Sequence, residues 1–202
     1  MEDKSEGKPD GFAGGKVVDA MVSHIDVFPT VCRAAGLPVP AWVAGTALQP
    51  LVAGEVATVH DAIFAEVNWH AAVEPLRAVR TTRHKYIRRF DGRKRTVLPN
   101  CDDSPSKDEM LRFGWDTRPV PAEALYDLMF DPHEAANVAA DPAYAGVLAN
   151  LRGRLEGWMR ETNDPLLAGQ LEPWPDMVVN PVDDPSPQTA TVPATPIAVR
   201  RP

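Results

Sequence analysis

The chain has 202 residues, 44% of them apolar, and a formal net charge of −7; that leaves room for one domain, or one with a small appendage, and excludes a wholly disordered chain. No apolar run approaches the roughly 18 residues of a membrane span. Two cysteines, Cys32 and Cys101, are too few for a disulfide framework or a four-thiolate zinc site.

Residues 1–15 are polar and glycine-rich and read as a frayed start. The opening Met1-Glu2-Asp3-Lys4-Ser5-Glu6 lacks the apolar stretch of a secretory signal. A cytoplasmic chain shows that pattern, and so does a truncated start. The first expected element is a helix capped by Asp26, with Pro29 in its first turn, where a missing N–H is tolerated. Phe28, Val31, Cys32 and Ala35 recur at helical spacing and predict one apolar face, with Cys32 a buried apolar residue. Gly36 ends the helix, and Pro38 and Pro40 prevent its return. Trp42 to Gly54 reads as a loop with short turns.

Ala62-Ile63-Phe64-Ala65 is a short continuous apolar run and predicts a buried strand. Arg77–Thr82 and Lys85–Phe90 predict a hairpin about Arg83-His84. Asp91 to Pro121 reads as a long polar loop, of the kind that is functional or mobile, with Cys101 a free exposed thiol. Leu125-Tyr126-Asp127-Leu128 predicts a further strand, with Asp127 and Asp131 as turn and cap formers. Asp141-Pro142 opens a long helix whose apolar stripe is Tyr144, Val147, Leu148, Leu151, Leu155, Trp158 and Met159, Trp158 being read as core. Gly153 and Gly157 lie within it, each at a cost of ~1 kcal/mol against alanine that packing is expected to offset. Residues 166–202 are proline-rich without periodicity and are expected to be disordered.

Charge is uneven. Arg77 to Arg95 holds nine Lys/Arg and one acid, so that segment carries +8 and the remainder −15. A basic block in an acidic chain points to a local anion site rather than a general affinity for polyanions. A sequence pI of about 5.2 and the lack of a nucleic-acid motif argue against nucleic acid.

Three blocks, in order, carry a family resemblance. They are Asp19 to Gly36, centred on Val22-Ser23-His24-Ile25-Asp26 and Pro29-Thr30; Arg77 to Ile87; and Ala124-Leu125-Tyr126-Asp127-Leu128 followed by Asp131-Pro132-His133-Glu134 and Asn137-Val138. In order and spacing they resemble the C-terminal portion of the sulfatase family, with Glu66-Val67-Asn68-Trp69-His70 similar to its N-sulfoglucosamine sulfohydrolase (heparan N-sulfatase-like) branch. The resemblance implies an α/β fragment of alkaline-phosphatase-like fold. Residues 16–75 would be the last elements of the large α/β domain. Residues 76–165 would be a small antiparallel-sheet subdomain with one long C-terminal helix.

It also implies hydrolysis of sulfuric esters or sulfamates, on a sulfated sugar. In that family the nucleophile is a formylglycine made from Cys or Ser in C/S-x-P-x-R, and calcium is expected in the full-length enzyme. Cys32 is followed by Arg33-Ala34 and Cys101 by Asp-Asp-Ser-Pro, so neither fits. No catalytic residue and no metal ligand is therefore assigned to this chain, and the missing N-terminal part of the enzyme becomes its implied partner. Glu66, Asn68, His70, Arg77 and Arg80 are the substrate-side candidates. Arginine offers a planar fork to sulfate, and His, Asn and Glu bond hydroxyls. Arg83, Arg88, Arg89, Arg93, Lys94 and Arg95 read as a solvated sheet face. The alternative is a non-catalytic anion- or glycan-binding module that uses the basic hairpin 77–95. No nucleic-acid or membrane partner is expected.

Overall fold

A computed structural model describes Phe12 and residues 14–199 and divides the chain into two units, Met1–Ile63 and Phe64–Pro202. Most of the predicted frayed start, residues 1–15, lies outside the described residues.

In the first unit a 3-10 turn, His24–Asp26, runs into helix α1, Val27–Ala34. The Asp26 carboxylate does not cap α1 forwards. It turns back to accept the Ser23 N–H at 2.8 Å, so Ser23 opens the turn. Pro29 sits in the first turn of α1, where its missing donor costs nothing. At the far end Gly36 takes φ +68°, Gly36 N–H bonds Arg33 O and Leu37 N–H bonds Cys32 O, a left-handed glycine stop of the expected kind. The predicted apolar face of α1 divides. Cys32 and Pro29 are buried, whereas Phe28 and Val31 are 49% and 59% exposed. The stretch read as a loop contains a second helix, α2, Gln49–Ala53, started by Pro50 and ended by Gly54 at φ +80°.

The second unit is built on a four-stranded sheet in the order β1-β2-β3-β4. The strands are β1, Ile63–Trp69; β2, Val73–Arg80; β3, His84–Arg89; and β4, Glu123–Asp127. β2 and β3 are antiparallel, as are β3 and β4. The boundary expected at residue 75 therefore moves to Ile63, because β1 is the edge strand of the sheet that β2 continues. β1 is also longer and more open than its apolar start implied, with Ala65 and Glu66 exposed.

Helix α4, Ala145–Glu161, follows a 3-10 turn that Asp141 caps by accepting the Ala143 N–H. It lays Leu148, Leu151, Leu155 and Met159 on the sheet. They meet a cross-strand row, Val79↔Tyr86↔Leu125, none of which is exposed. Each fully buried side chain of this kind contributes roughly 1.5–3 kcal/mol. Trp158 is half-buried and stacks on Phe64 of β1 at 5.2 Å. No tight packing explains Gly153 and Gly157, since a Cβ at either would meet nothing within 4 Å.

Two further expectations are corrected. Residues 91–121 include helix α3, Pro105–Arg112, capped by Ser104 and anchored by Lys107. Lys107 is 3% exposed because its ammonium is satisfied by Leu98 O, Cys101 O and Asp103 Oδ1. Cys101 is a free, half-buried thiol and Cys32 a free, buried one.

Residues 166–199 are not a structureless tail. They form two small ribbons, β5 (Gln170–Leu171) with β8 (Ile197–Ala198) and β6 (Val178–Val179) with β7 (Val192–Pro193). Leu166 and Leu171 are buried, and Asn180 ties the segment down by donating to Ala71 O and to Thr189 O. Hydrogen bonds of this kind compensate for the ladder donors that proline removes.

Candidate functional site

β1 and β2 carry the predicted substrate-side residues, and the structure brings only some of them together. Phe64 meets α4 and Glu66 reaches Arg77, so strand alternation places Asn68 on the same face. Arg77 is fully buried. Its Nε bonds Asp164 Oδ2 at 2.5 Å and its Nη2 bonds Asp164 Oδ1 at 3.0 Å, while Nη1 bonds Val67 O and Leu76 O. This guanidinium has no free edge for a ligand, and its role is to hold the chain after α4 to the sheet. Glu66 is half exposed, 3.4 Å from Arg77 Nε. Asn68 keeps a buried Oδ1 without a hydrogen bond among the described residues. His70 is exposed in the β1–β2 turn and Arg80 is exposed at the opposite end of β2. Those two ends lie ~23 Å apart along the strand, so the five residues are not one constellation.

Ion pairing of the basic block was not legible as contacts in the sequence. Besides Arg77, Arg83 pairs with Asp127, Lys85 with Glu134, Arg88 with Glu156, Arg89 with Glu74 and Asp91, and Arg93 with Asp183. Six of the nine cations are thus matched, which corrects the reading of Arg83, Arg88, Arg89 and Arg93 as a merely solvated face. Arg80, Lys94 and Arg95 have no carboxylate partner among the described residues.

Two carboxylate junctions fix the corners of the second unit. Asp127 accepts Arg83 Nε and Nη2, the Tyr144 hydroxyl and the Met129 N–H. Asp131 is the turn former expected, accepting the Ala135 and Ala136 N–H groups. On the helix side, Glu123 accepts from Tyr86 and Arg152 together. Arg152 holds the Glu123 carboxyl below its usual range against the opposing effect of burial, and burial, with Glu123 beside it, raises the Tyr86 phenol.

The Arg83 hydrogen bond is the main cause that draws the Asp127 carboxyl down to about 2 from an ordinary 3.8. The sign follows from the folded value being the lower one. Its stabilisation is present above the ordinary carboxylate value and is lost as pH falls from about 4 towards about 2. Asp127→Asn should flatten that acid limb in a plot of unfolding midpoint against pH. An unchanged slope would remove Asp127 from the account.

The first unit has a comparable junction at Asp26, which is not solvent-exposed. Its carboxylate accepts Ser23 N–H and Thr46 N–H, both at 2.8 Å, and His60 Nε2 lies 2.8–2.9 Å from both oxygens. Burial pushes this carboxyl up, but the Thr46 and Ser23 amides and His60 together bring it below the ordinary value. Thr30 completes the clamp, donating to Asp26 O and accepting from Leu48 N–H. The block around Asp26 and Thr30 is therefore a fastening of α1 to residues 45–49.

The family model described as "N-sulphoglucosamine sulphohydrolase, C-terminal" matches residues 8–111, just over half of the chain. The chain belongs to that family. The sulfatase relatives include a delta 4,5-hexuronate-2-O-sulfatase of Bacteroides thetaiotaomicron, 31% identical over 74% of this chain and 26% of its own. Human N-sulphoglucosamine sulphohydrolase is 29% identical over 75% of this chain and 34% of its own. Among solved structures, one described as a sulfatase of Bacteroides thetaiotaomicron superposes with a TM-score of 0.54 at 26% identity, covering 82% of this chain and 31% of that one. The fold is thus the C-terminal part of the alkaline-phosphatase-like sulfatases, and the chain spans about a quarter to a third of the curated relatives' length. Among the described residues no cluster of three or more His, Cys, Asp or Glu fits a metal ion.

Proposed function

We propose that this chain is the C-terminal lobe of a sulfatase that hydrolyses sulfuric esters or sulfamates of a sulfated sugar. The observation that carries this reading is the family match across residues 8–111, in a chain whose cysteines both lie outside any C/S-x-P-x-R context. The nucleophile and the family's calcium would sit on a separate segment of the enzyme. This chain supplies scaffold and, through Glu66, Asn68 and His70 at one end of the β1–β2 pair, hydroxyl-bonding groups beside the substrate, with Arg80 at the far end of β2 a separate anion contact.

The open apolar side chains of the first unit support the same reading. Val27, Phe28, Val31 and Trp42 are each about half exposed or more. An apolar patch of this kind marks a contact surface, and the remainder of the α/β domain would cover it. The test is sulfate release from N-sulfoglucosamine and from a chromogenic sulfate ester. The chain alone should give no more than background. A separately expressed polypeptide carrying C/S-x-P-x-R, from the same genomic locus, should turn over substrate faster when the chain is added. Sulfate release by the purified chain alone overturns the assignment.

A further inference from the structure

With six of nine cations neutralised, the basic block contracts to two places, the isolated Arg80 and the adjacent Lys94 and Arg95 on the loop after β3. Lys94 and Arg95 are exposed and Arg93 is half-buried beside them. The Arg93 Nε is buried and has no hydrogen-bond partner among the described residues. Its Nη2 donates to Asp183 Oδ1 at 2.6 Å, and the Asp183 side chain is 79% exposed. An ion pair whose acid is that well solvated is cheap to break.

The loop faces a shallow cleft of about 180 Å³ between Arg93, Lys94, Arg95 and Asp183. A second cleft of about 230 Å³, lined in part by Arg93, Arg95, Asp116, Asp183 and Asp184, shares its wall. Cations and the carboxylates of Asp116 and Asp184 thus line adjoining clefts. Neither carboxylate makes an ion pair among the described residues.

We infer that the Arg93–Arg95 loop is a binding site for a sulfated saccharide, which Asp183 occupies as an internal anion in the free chain. A sulfate replaces the Asp183 carboxylate on the Arg93 fork and takes further donors from Lys94 and Arg95. The Asp116 and Asp184 carboxylates accept hydrogen bonds from sugar hydroxyls. Those acids also decide the ligand class. A polyphosphate backbone offers them only repulsion, whereas a sugar offers donors. The ligand class rests on the sulfated-sugar reading above, but the site is tested by binding and needs no turnover.

The experiment is calorimetric titration of the 202-residue chain with a heparin-derived tetrasaccharide at low salt. The double variant Lys94→Ala/Arg95→Ala should bind about tenfold or more weakly, having lost two charge-assisted contacts. Asp183→Asn should bind several-fold more tightly, because the internal competitor is gone. Arg33→Ala/Arg160→Ala changes net charge equally at exposed positions elsewhere and should leave binding within about twofold.

The proposal is overturned if that control weakens binding as much as the loop variant, or if Asp183→Asn gives no gain. It is also overturned if a single-stranded oligonucleotide of matched charge binds as well as the saccharide. Failure of the sulfate-release assay leaves this binding in place, and loss of this binding leaves the family assignment in place.

Discussion

Arg77→Ala is expected to destabilise the second unit by about 3–5 kcal/mol, the cost of leaving one member of a buried ion pair uncompensated. Arg77 is fully buried and the Asp164 side chain is 1% exposed, so water cannot replace the lost guanidinium. Asp164 would keep the Leu166 N–H as a neutral local donor, and Val67 O would lose its Nη1 contact. With a urea slope of about 1–3 kcal/mol per molar, the unfolding midpoint should fall by more than about 1 M. The double variant Arg77→Met/Asp164→Leu should recover much of the loss, since removing both charges leaves none stranded. A midpoint for Arg77→Ala that matches the parent would contradict the buried pair. This also separates two roles the sequence could not separate. A saccharide-binding defect in Arg77→Ala would follow from lost structure, whereas Arg80→Ala, exposed and without an acidic partner among the described residues, tests the proposed ligand contact without that loss.

Gly45→Ala should disrupt the first unit at a cost above about 3 kcal/mol, by overpacking combined with loss of a charge-assisted bond. A Cβ at position 45 would lie 1.9 Å from Ile25 O, 2.4 Å from Ile25 C and 2.9 Å from Asp26 N. All three are backbone atoms, so no side-chain rotation relieves the clash. Residues 45–46 must move away from 25–26, and the Thr46 N–H to Asp26 Oδ1 bond at 2.8 Å goes with them. Hydrogen exchange at the Thr46 amide should accelerate sharply, and proteolysis within residues 14–63 should follow. Gly153→Ala is the internal control, because its added Cβ meets nothing within 4 Å. It should be neutral or gain up to ~1 kcal/mol from helix propensity. Slow exchange retained at Thr46 in Gly45→Ala would show that the close approach is not obligatory.

The legible elements were those with a strong local signal. Asp141-Pro142 and the Leu148, Leu151, Leu155, Met159 stripe placed α4, and the Gly36 stop placed the end of α1. The β2–β3 hairpin was visible as two extended runs about Arg83-His84, with Arg80↔Lys85 as its last pair. α3 carries a start signal in Ser104-Pro105, a cap followed by proline, but its mostly polar sequence masks the helical periodicity. The order of residues 166–199 is hidden in the sequence because proline content is high and the apolar anchors that hold them, Leu166 and Leu171, are few. In the sequence, Asp127 and Asp26 show only the signature of turn and cap formers. Nothing in a linear chain pairs Asp127 with Arg83 across a strand register, or Asp26 with His60 across 34 positions.

Sequence alone determined the family, the order of the main elements and the lack of a C/S-x-P-x-R nucleophile, because each is written in residue type and spacing. Tertiary structure decided which of nine like charges are available to a ligand. Charge is local in the chain, but its neutralisation depends on acids brought in from distant elements, such as Asp164 beyond α4 for Arg77 and Asp183 in the C-terminal segment for Arg93.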